Sequence, residues 1–418
     1  MIVIVGGGIS GLALGHHLAA HSAEFLLLEA SARPGGVIRS GRVEGHLLEW
    51  GPQRARLTEG FRKLVTELGL GGELISSPPG LPLFVYRSGR LRLVPFSALA
   101  FLRSDIIGWR AKLRLALEPL TAPPRDDESV AGLFTRKIGR EAYENLVGPL
   151  YGGLYASDPE DMVVGLSLRH VLREFGLSRS LLLPLLRRGG RIDPPDACSF
   201  REGMQLLPAA LASRHCERIR YGSAVREVRR AGHGFTVITD GEAIAAKQVV
   251  LTAPAPDTAA QLAGLAPAAA ERLRRLNYNP LAVVHLLAET RLRGLGYQVS
   301  FAEPLATRGV TWNDSLFGRT GVYTAYLGGA RRAEVVARSD ASLGELAVAE
   351  FQLATGYEAR TLSVERERMP AWDRSWAALS GLELPPGLHI CANWESRPGI
   401  PGRLLQAKRL AAKLASAG

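Results

Sequence analysis

A glycine-rich turn between a buried strand and a helix is the feature that most constrains how this chain folds. Ile2–Val5 is a continuous apolar run, the pattern of a parallel strand buried on both faces. It leads into Gly6–Gly11, which reads Gly-Gly-Gly-Ile-Ser-Gly, and then into a helix-like run. Gly6 permits the tight turn, Gly8 lets the backbone approach a pyrophosphate, and Gly11 lets the helix pack close to the sheet. The pattern predicts a β-α-β unit that binds a dinucleotide.

The residues after this motif supply the other parts of such a site. Phe25–Leu28 is a second apolar strand, and Glu29 follows it, 18 residues after Gly11. That spacing is close to the roughly 20 residues expected for an acid that accepts the ribose hydroxyls of an adenosine. A glycine-rich turn alone often binds nothing, but the complete order of elements favours dinucleotide binding. Arg33–Gly36 resembles the second glycine pair of flavoproteins in the amine oxidase and protoporphyrinogen oxidase group, which favours a flavin over a nicotinamide.

Composition limits the remaining classes of function. At 418 residues, 46% hydrophobic and 22% charged, the chain is expected to be globular, with two or three domains around one cleft. Its net charge is +11, and 45 of its 51 basic residues are arginines. A GC-rich genome explains this ratio; the functional alternative is a surface or cleft suited to an anionic substrate or membrane. Nucleic acid is not expected as a partner, because no basic run is interleaved with aromatic residues.

The positions of the three cysteines argue against a metal site. Cys198, Cys216 and Cys391 are far apart and not at metal-ligand spacing, so we expect reduced thiols in a cytoplasmic protein and no metal site. No basic segment precedes the first strand, so no signal or transit peptide is expected. No run reaches the about 18 apolar residues that a spanning helix needs. Any membrane contact is therefore expected to be peripheral, on the inner face of the cell membrane.

The middle of the chain has the residue pattern of a helix, whereas the later part has the pattern of strands. Ala98–Leu120 is amphipathic and predicts one long helix, either facing the core or lying on an anionic membrane. The apolar positions of this run are Leu99, Leu102, Ile106, Trp109, Leu113 and Leu117. Four later segments predict the strands of a mixed sheet: Val283–Leu287, Val299–Phe301, Gly309–Trp312 and Val322–Leu327.

Over most of its length the chain resembles the protoporphyrinogen oxidase family, a branch of the flavin-containing amine oxidase group. The stretch Pro149–Pro159, which reads Pro-Leu-Tyr-Gly-Gly-Leu-Tyr-Ala-Ser-Asp-Pro, is the most specific part, because many flavoproteins share the dinucleotide motif. The other matching stretches are Gly6–Ala13, Arg33–Ser40, Glu49–Pro52, Glu128–Ala131, Phe200–Pro208, Tyr326–Gly329 and Met369–Pro370.

The resemblance implies an α/β fold, α+β in part, with three domains. These are a Rossmann-like FAD-binding domain over residues 1–80, 196–258 and 381–418, a mixed-sheet substrate domain over 81–95 and 259–380, and a helical, membrane-associating domain over 96–195. It also implies noncovalent FAD and the stepwise dehydrogenation of a porphyrinogen to a porphyrin in haem biosynthesis, with oxygen as acceptor. Protoporphyrinogen IX and coproporphyrinogen III both stay open as the tetrapyrrole substrate, as do a monomer and a homodimer.

The same resemblance assigns residues to the cofactor and to the substrate. The cofactor residues are Gly6, Gly7, Gly8, Ile9, Ser10, Gly11, Glu29, Ala30, Arg33, Gly35, Gly36, Val37, Gly51, Pro52, Gln53, Val225, Ala392, Asn393, Pro398, Gly399 and Ile400. Gly153, Tyr297 and Tyr326 fall where the family lines its tetrapyrrole pocket.

The proposed chemistry requires few acids or bases. Hydride removal from a methylene bridge requires the carbon to lie near flavin N5, about 3–3.5 Å away, in an apolar slot. The pyrrole nitrogens release the proton, so no side-chain base is predicted. Tyr155 and Trp312 would add to such a slot, although either aromatic could equally be plain core. Arginines at the mouth would bind propionates bidentately.

Three departures from the family pattern bear on the substrate. Leu99 stands where plant and animal members have an arginine, and Arg103, one turn away, is the expected replacement. Gln53 stands where many relatives have arginine or asparagine, and the final motif from Ile400 lacks the usual cysteine and Ser-Gly pair.

Two other classes of protein stay open. One is an amine oxidase or an isoprenoid desaturase, but residues 259–380 contain no lysine of the kind that amine oxidases use to hold a water at N5. The other is a non-catalytic FAD- or porphyrin-binding protein.

Overall fold

Strands and helices alternate in the first and last parts of the chain, whereas helices dominate its middle. The computed structural model describes residues 1–174, 176–177, 179–187, 196–395 and 399–416. The strands are β1 (Ile2–Val5), β2 (Phe25–Leu28), β3 (Ser40–Val43), β4 (His46–Glu49), β5 (Ala55–Arg56), β6 (Leu74–Ser76), β7 (Leu83–Arg87), β8 (Arg90–Leu93), β9 (Ala197–Phe200), β10 (Ile219–Arg220), β11 (Val225–Ala231), β12 (Gly234–Thr239), β13 (Ala243–Ala246), β14 (Gln248–Leu251), β15 (Tyr278–Leu287), β16 (Gly296–Val299), β17 (Thr307–Trp312), β18 (Val322–Gly328), β19 (Arg360–Pro370) and β20 (Leu388–Ile390).

The helices connect these strands and form the middle region. They are α1 (Ile9–Ala20), α2 (Glu59–Glu67), α3 (Ala98–Arg103), α4 (Trp109–Ala116), α5 (Val130–Ile138), α6 (Arg140–Ala142), α7 (Gly148–Tyr155), α8 (Arg169–Glu174), α9 (Leu182–Arg187), α10 (Leu206–Arg214), α11 (Ala255–Leu262), α12 (Pro267–Arg274), α13 (Asn313–Phe317), α14 (Asp340–Thr355) and α15 (Ile400–Ser416).

A parallel sheet with the order β10-β2-β1-β14-β20 carries the opening motif. Every residue of β1 and β2 is buried, as the continuous apolar runs predict. Helices α1 and α15 pack against each other. Because the carboxyl ends of parallel strands meet at one edge, the turns after β1, β2, β14 and β20 converge there. The Rossmann-like prediction is confirmed.

A second, mixed sheet has the order β19-β15-β18-β17-β16-β7-β8. Its pairs are antiparallel except for β16 and β7, which are parallel. The mixed sheet was therefore predicted correctly. Strand β19 was not predicted, because its alternating charges, Glu365-Arg-Glu-Arg368, give no apolar period.

The single helix predicted over Ala98–Leu120 is wrong. The chain forms α3, a break at Ser104 with extended ψ, α4, and a final 3-10 turn. Lys112 stabilises the break, because its Nζ donates to the carbonyls of Leu102 (2.8 Å) and Ser104 (2.6 Å). Ile106 is buried by this fold, whereas the other apolar positions of the run stay exposed.

Candidate functional site

The turn between β1 and α1 has a geometry that only glycine permits at two positions. Gly6 has φ +109°, and a Cβ there would lie 2.6 Å from Thr252 Oγ1. A Cβ on Gly11 would lie 2.0 Å from the carbonyl oxygen of Gly6. A Cβ on Gly8 would meet no atom within 4 Å, so the backbone at Gly8 borders open space. This arrangement fits a pyrophosphate approaching Gly8 and the first turn of α1.

Glu29 is held by backbone donors at the end of β2. Its Oε2 accepts from the N–H of Gly7 at 2.6 Å, and its Oε1 accepts from the N–H and the hydroxyl of Ser31 at 2.8 and 2.7 Å. A carboxylate offers about four acceptor positions, so three donors leave one for a ribose hydroxyl. The N–H of Ser223 donates to the Glu29 carbonyl at 2.9 Å, which brings the chain just before Val225 to the same place.

The second glycine loop lies against the first. Gly35 donates its N–H to the Gly7 carbonyl at 2.8 Å, and a Cβ on Gly36 would lie 3.3 Å from Gly8 Cα. Arg33 holds this loop from outside by donating to the Gly36 carbonyl at 2.9 Å. The two glycine segments thus form one concave backbone surface.

A neighbouring loop that was predicted to approach the flavin is anchored from beneath. A Cβ on Gly51 would lie 1.9 Å from the carbonyl of Val37, whose own side chain is 57% exposed. Gln53 is buried, and its Oε1 accepts from Asn313 Nδ2 at 3.0 Å and from Thr324 Oγ1 at 3.1 Å. Gln53 therefore ties Gly51 and Pro52 to the second sheet, a role that its sequence context did not reveal.

A buried polar cluster lies behind this loop. Glu49 accepts from Arg319 Nη2 at 2.7 Å and from the N–H of Met204 at 2.9 Å. Burial raises the pKa of Glu49, and the charge of Arg319 opposes that rise. His285 Nε2 lies 2.9 Å from the Glu49 carbonyl, and burial lowers the pKa of His285 to about 4, so it is neutral at pH 7. These groups support the loop. Because they are far apart in the sequence, sequence analysis did not predict that they form a cluster.

The C-terminal residues assigned to the cofactor are only partly described. Ala392 is fully buried, and its carbonyl accepts from Arg403. Gly399, with φ +88°, and Ile400, the first residue of α15, line the large cavity. Asn393 is half-buried, whereas Ala30 is exposed. Pro398 lies outside the described residues.

A cavity of about 1440 Å³ separates the first region from the helical region. Its walls come from β5, α2 and α15 on one side and from the helices between residues 96 and 182 on the other. The lining is mostly apolar and includes Phe96, Phe101, Leu146, Tyr151, Tyr155 and Leu172. A mostly apolar cavity of this kind can enclose a ligand with a largely apolar body.

Only Tyr155 among the residues predicted for the substrate lines this cavity. Tyr297 and Trp312 are 1% and 2% exposed within the core of the second sheet, which is the plain-core reading left open by the sequence. Tyr326 is half-buried on β18, and Gly153 packs against Gln298.

Two arginines that the sequence analysis passed over are in the lining. Arg103 is exposed at the end of α3 and is not among the residues that line the cavity, so its role toward the substrate stays a prediction. Arg54 and Arg56 do line it. The alternation of charged and small residues through β5 was the available signal.

The family model for flavin containing amine oxidoreductases matches residues 9–404. Among curated relatives, protoporphyrinogen oxidase 1 from the chloroplast of Spinacia oleracea is 29% identical over 82% of this chain and 69% of its own length. Coproporphyrinogen III oxidase of Bacillus subtilis (strain 168) is 25% identical over 81% of this chain and 79% of its own.

Solved structures share the whole fold. A candidate protoporphyrinogen oxidase from Exiguobacterium sp. 255-15 superposes with a TM-score of 0.82 at 21% identity, covering 100% of this chain and 99% of its own. Cyclohexylamine oxidase from Brevibacterium oxydans IH-35A gives a TM-score of 0.75 at 16% identity, covering 100% and 98%. At these identities the likeness establishes the fold.

Proposed function

Because this chain belongs to the family of flavin-containing amine oxidoreductases, we propose that it is an FAD-dependent oxidase that converts a porphyrinogen to its porphyrin in haem biosynthesis. Protoporphyrinogen IX and coproporphyrinogen III are the two candidate substrates, since relatives named for each resemble the chain. The observation that carries the proposal is the mostly apolar cavity of about 1440 Å³, whose lining includes Gly399 and Ile400 from the segment assigned to the cofactor. Pockets for drug-sized ligands have about 300–1,000 Å³, so this volume suits a larger macrocycle.

The glycine loops fit FAD. The open space at Gly8 and the free N–H groups at the start of α1 would hold the pyrophosphate, and Glu29 would accept a ribose hydroxyl. The exposed Val37 and the adjoining Gly51 would face the ring system. When bound, FAD supplies a hydride acceptor at N5 and passes the electrons to oxygen.

The contribution of this chain to the reaction would be placement and exclusion of water. The apolar wall would hold a methylene bridge of the substrate in position while the pyrrole nitrogen releases its proton to solvent. Glu49 and His285 are sealed off beneath the loop, so neither is offered as a base. The proposed reaction therefore does not depend on a side chain of this chain that gains or loses a proton.

The test is anaerobic mixing of the purified flavoprotein with each porphyrinogen and, as a control, with a primary amine. We expect the flavin to bleach and porphyrin fluorescence to appear with one or both porphyrinogens, faster than spontaneous oxidation on readmission of oxygen. Released cofactor should be FAD. Bleaching by the amine alone would support an amine oxidase, and a flavin that stays oxidised with every porphyrinogen would contradict the proposed activity.

We also propose that the helical region attaches peripherally to an anionic membrane. Its exposed apolar side chains are Leu99, Leu102, Trp109, Leu113, Leu117 and Leu120, each more than half exposed. Arginines on the same segments, among them Arg103 and Arg110, would meet lipid phosphates. In the described part of the chain no helix is both long and apolar enough to cross a bilayer.

A further inference from the structure

Arg54 is a charged side chain that lines a mostly apolar cavity and has no partner among the described residues. It forms no hydrogen bond or ion pair with any described residue, yet it lines the cavity between the first region and the helical region. Arg54 is exposed by its accessible surface. Even so, many protein atoms surround its guanidinium, and this burial lowers the pKa of the group. Both observations hold together only if the exposed surface faces the cavity and not the outside of the molecule.

Arg56 lines the same cavity. Arg54 directly precedes the two-residue strand β5 and Arg56 ends it, with Ala55 between them. Ala55 is 4% exposed and packs in the core, and both arginines line the cavity. Like Arg54, Arg56 has no partner among the described residues.

Lys112 on α4 also lines the cavity, but its ammonium group already has hydrogen-bond partners. Lys112 donates to two backbone carbonyls and lies over the ring of Trp109, 4.4 Å from its centroid. Arg54, in contrast, comes directly after Gln53, whose anchoring fixes the start of the strand. Arg54 is also close enough to Tyr326 for its charge to oppose the rise that burial imposes on the pKa of that phenol. Because Gln53 bonds to Asn313 and Thr324, Arg54 starts from the side of the cavity that faces the second sheet.

A partnerless guanidinium in an apolar site is costly unless a ligand supplies the anion. We propose that Arg54 and Arg56 bind the carboxylates of a substrate whose body is apolar and which carries two acid side chains, with Arg54 making the bidentate contact. This inference rests on the proposed function and names the residues that select its substrate. Arg54 and Arg56 are specificity-determining residues and take no part in the bond changes.

The test compares a porphyrin dicarboxylic acid with its dimethyl ester, which keeps the ring and removes the charges. Binding is measured by fluorescence titration of the flavin-loaded wild type, Arg54→Gln, Arg54→Lys, Arg56→Gln and the control Arg62→Gln, an exposed arginine on α2 that does not line the cavity. The wild type should prefer the acid by roughly 10- to 100-fold, the range expected for charged hydrogen bonds. Arg54→Gln should lose most of that preference, and Arg54→Lys should retain part of it.

Flavin content and the unfolding midpoint serve as fold checks. Because Arg54 bonds to no described protein group, both should stay at wild-type values in Arg54→Gln. Loss of flavin with an unchanged acid preference would mean that the guanidinium binds the cofactor and would overturn the inference. An unchanged preference in Arg54→Gln, or an equal loss in the control Arg62→Gln, would do the same.

Failure of the proposed function gives a different pattern. A wild type that oxidises no porphyrinogen, but prefers the acid through Arg54, would refute the oxidase activity and support the carboxylate site. A wild type that turns over porphyrinogen without preferring acid to ester would support the activity and refute the carboxylate site.

Discussion

The parallel sheet with its glycine loops and the helical region between residues 96 and 187 are held together by different kinds of contact. In the first, apolar strands are wholly buried and backbone meets backbone at glycines, as at Gly11 against the Gly6 carbonyl. In the second, a buried ion pair joins Lys137 Nζ to Glu118 Oε1 at 2.8 Å, with both side chains at 0% exposure. Large apolar side chains in this second region face outward.

The two regions therefore differ in which of their apolar side chains are buried and which are exposed. The apolar strands β1 and β2 of the first region are buried in its own core, and its glycine turns tolerate few added atoms. The helical region combines an apolar core, which includes Leu133 and Ile138, with a buried ion pair, and it still leaves leucines and a tryptophan exposed to an outside partner. Four predictions test this contrast, in order of decreasing effect.

The largest effect is expected from a pair of glycine substitutions in the first region. Gly11→Val should prevent folding or cost more than about 4 kcal/mol, because its Cβ would overlap backbone. Gly8→Val should fold, since its Cβ meets open space and its φ of −69° suits any residue, but it should bind almost no flavin. Thermal unfolding and flavin absorbance of the purified variants measure both. Full flavin content in Gly8→Val would show that the pyrophosphate lies elsewhere.

An intermediate effect is expected from the ion pair in the helical region. Lys137→Met should cost about 3–5 kcal/mol, because it leaves Glu118 charged and buried without its partner. Replacing both residues by methionine should recover most of that loss. Denaturant unfolding monitored by Trp109 fluorescence and circular dichroism measures the difference. Equal stability of the single variant and the wild type would mean that the pair does not hold this region.

The ion pair between Lys137 and Glu118 also predicts that the free energy of unfolding depends on pH. Burial acts to raise the pKa of Glu118, but Lys137, Ser180 and the N–H groups of Leu181 and Leu182 outweigh it, and the net pKa lies below the ordinary 4.5. A carboxyl group with a depressed pKa stabilises the fold above its unfolded value and loses that contribution as pH falls through the folded value. Stability of the wild type should therefore fall below pH 4.5, and the variant with two methionines should lack this component.

The smallest effect on stability is expected at the apolar surface. Trp109 and Leu113 are 66% and 67% exposed, so changing either to serine should alter the free energy of unfolding by less than about 0.5 kcal/mol. Leu133→Ser, at a fully buried position of α5, is the contrasting control and should be strongly destabilising. Sedimentation with anionic liposomes at low and high salt should show weaker binding for the two surface variants. Equal binding to neutral liposomes would argue against the electrostatic part of the attachment.

The sequence by itself determined the opening β-α-β unit, where a local pattern and a local geometry coincide. It also gave the mixed sheet, because strands such as β15 and β18 have apolar residues in continuous runs. It could not give the break in the helix at Ser104, since the hydrogen bonds that stabilise that break come from Lys112, on the following helix.

Only the tertiary structure decided which residues face the cavity. The periodicity of an apolar residue shows that it shares a face with others, but not whether that face meets the core, a ligand or solvent. Tyr297 and Trp312 therefore read as pocket residues and lie in a core, while Arg54 read as an ordinary charged residue and faces the cavity. Glu49, Gln53 and Arg319 meet through contacts between distant segments, which no local pattern in a single sequence encodes.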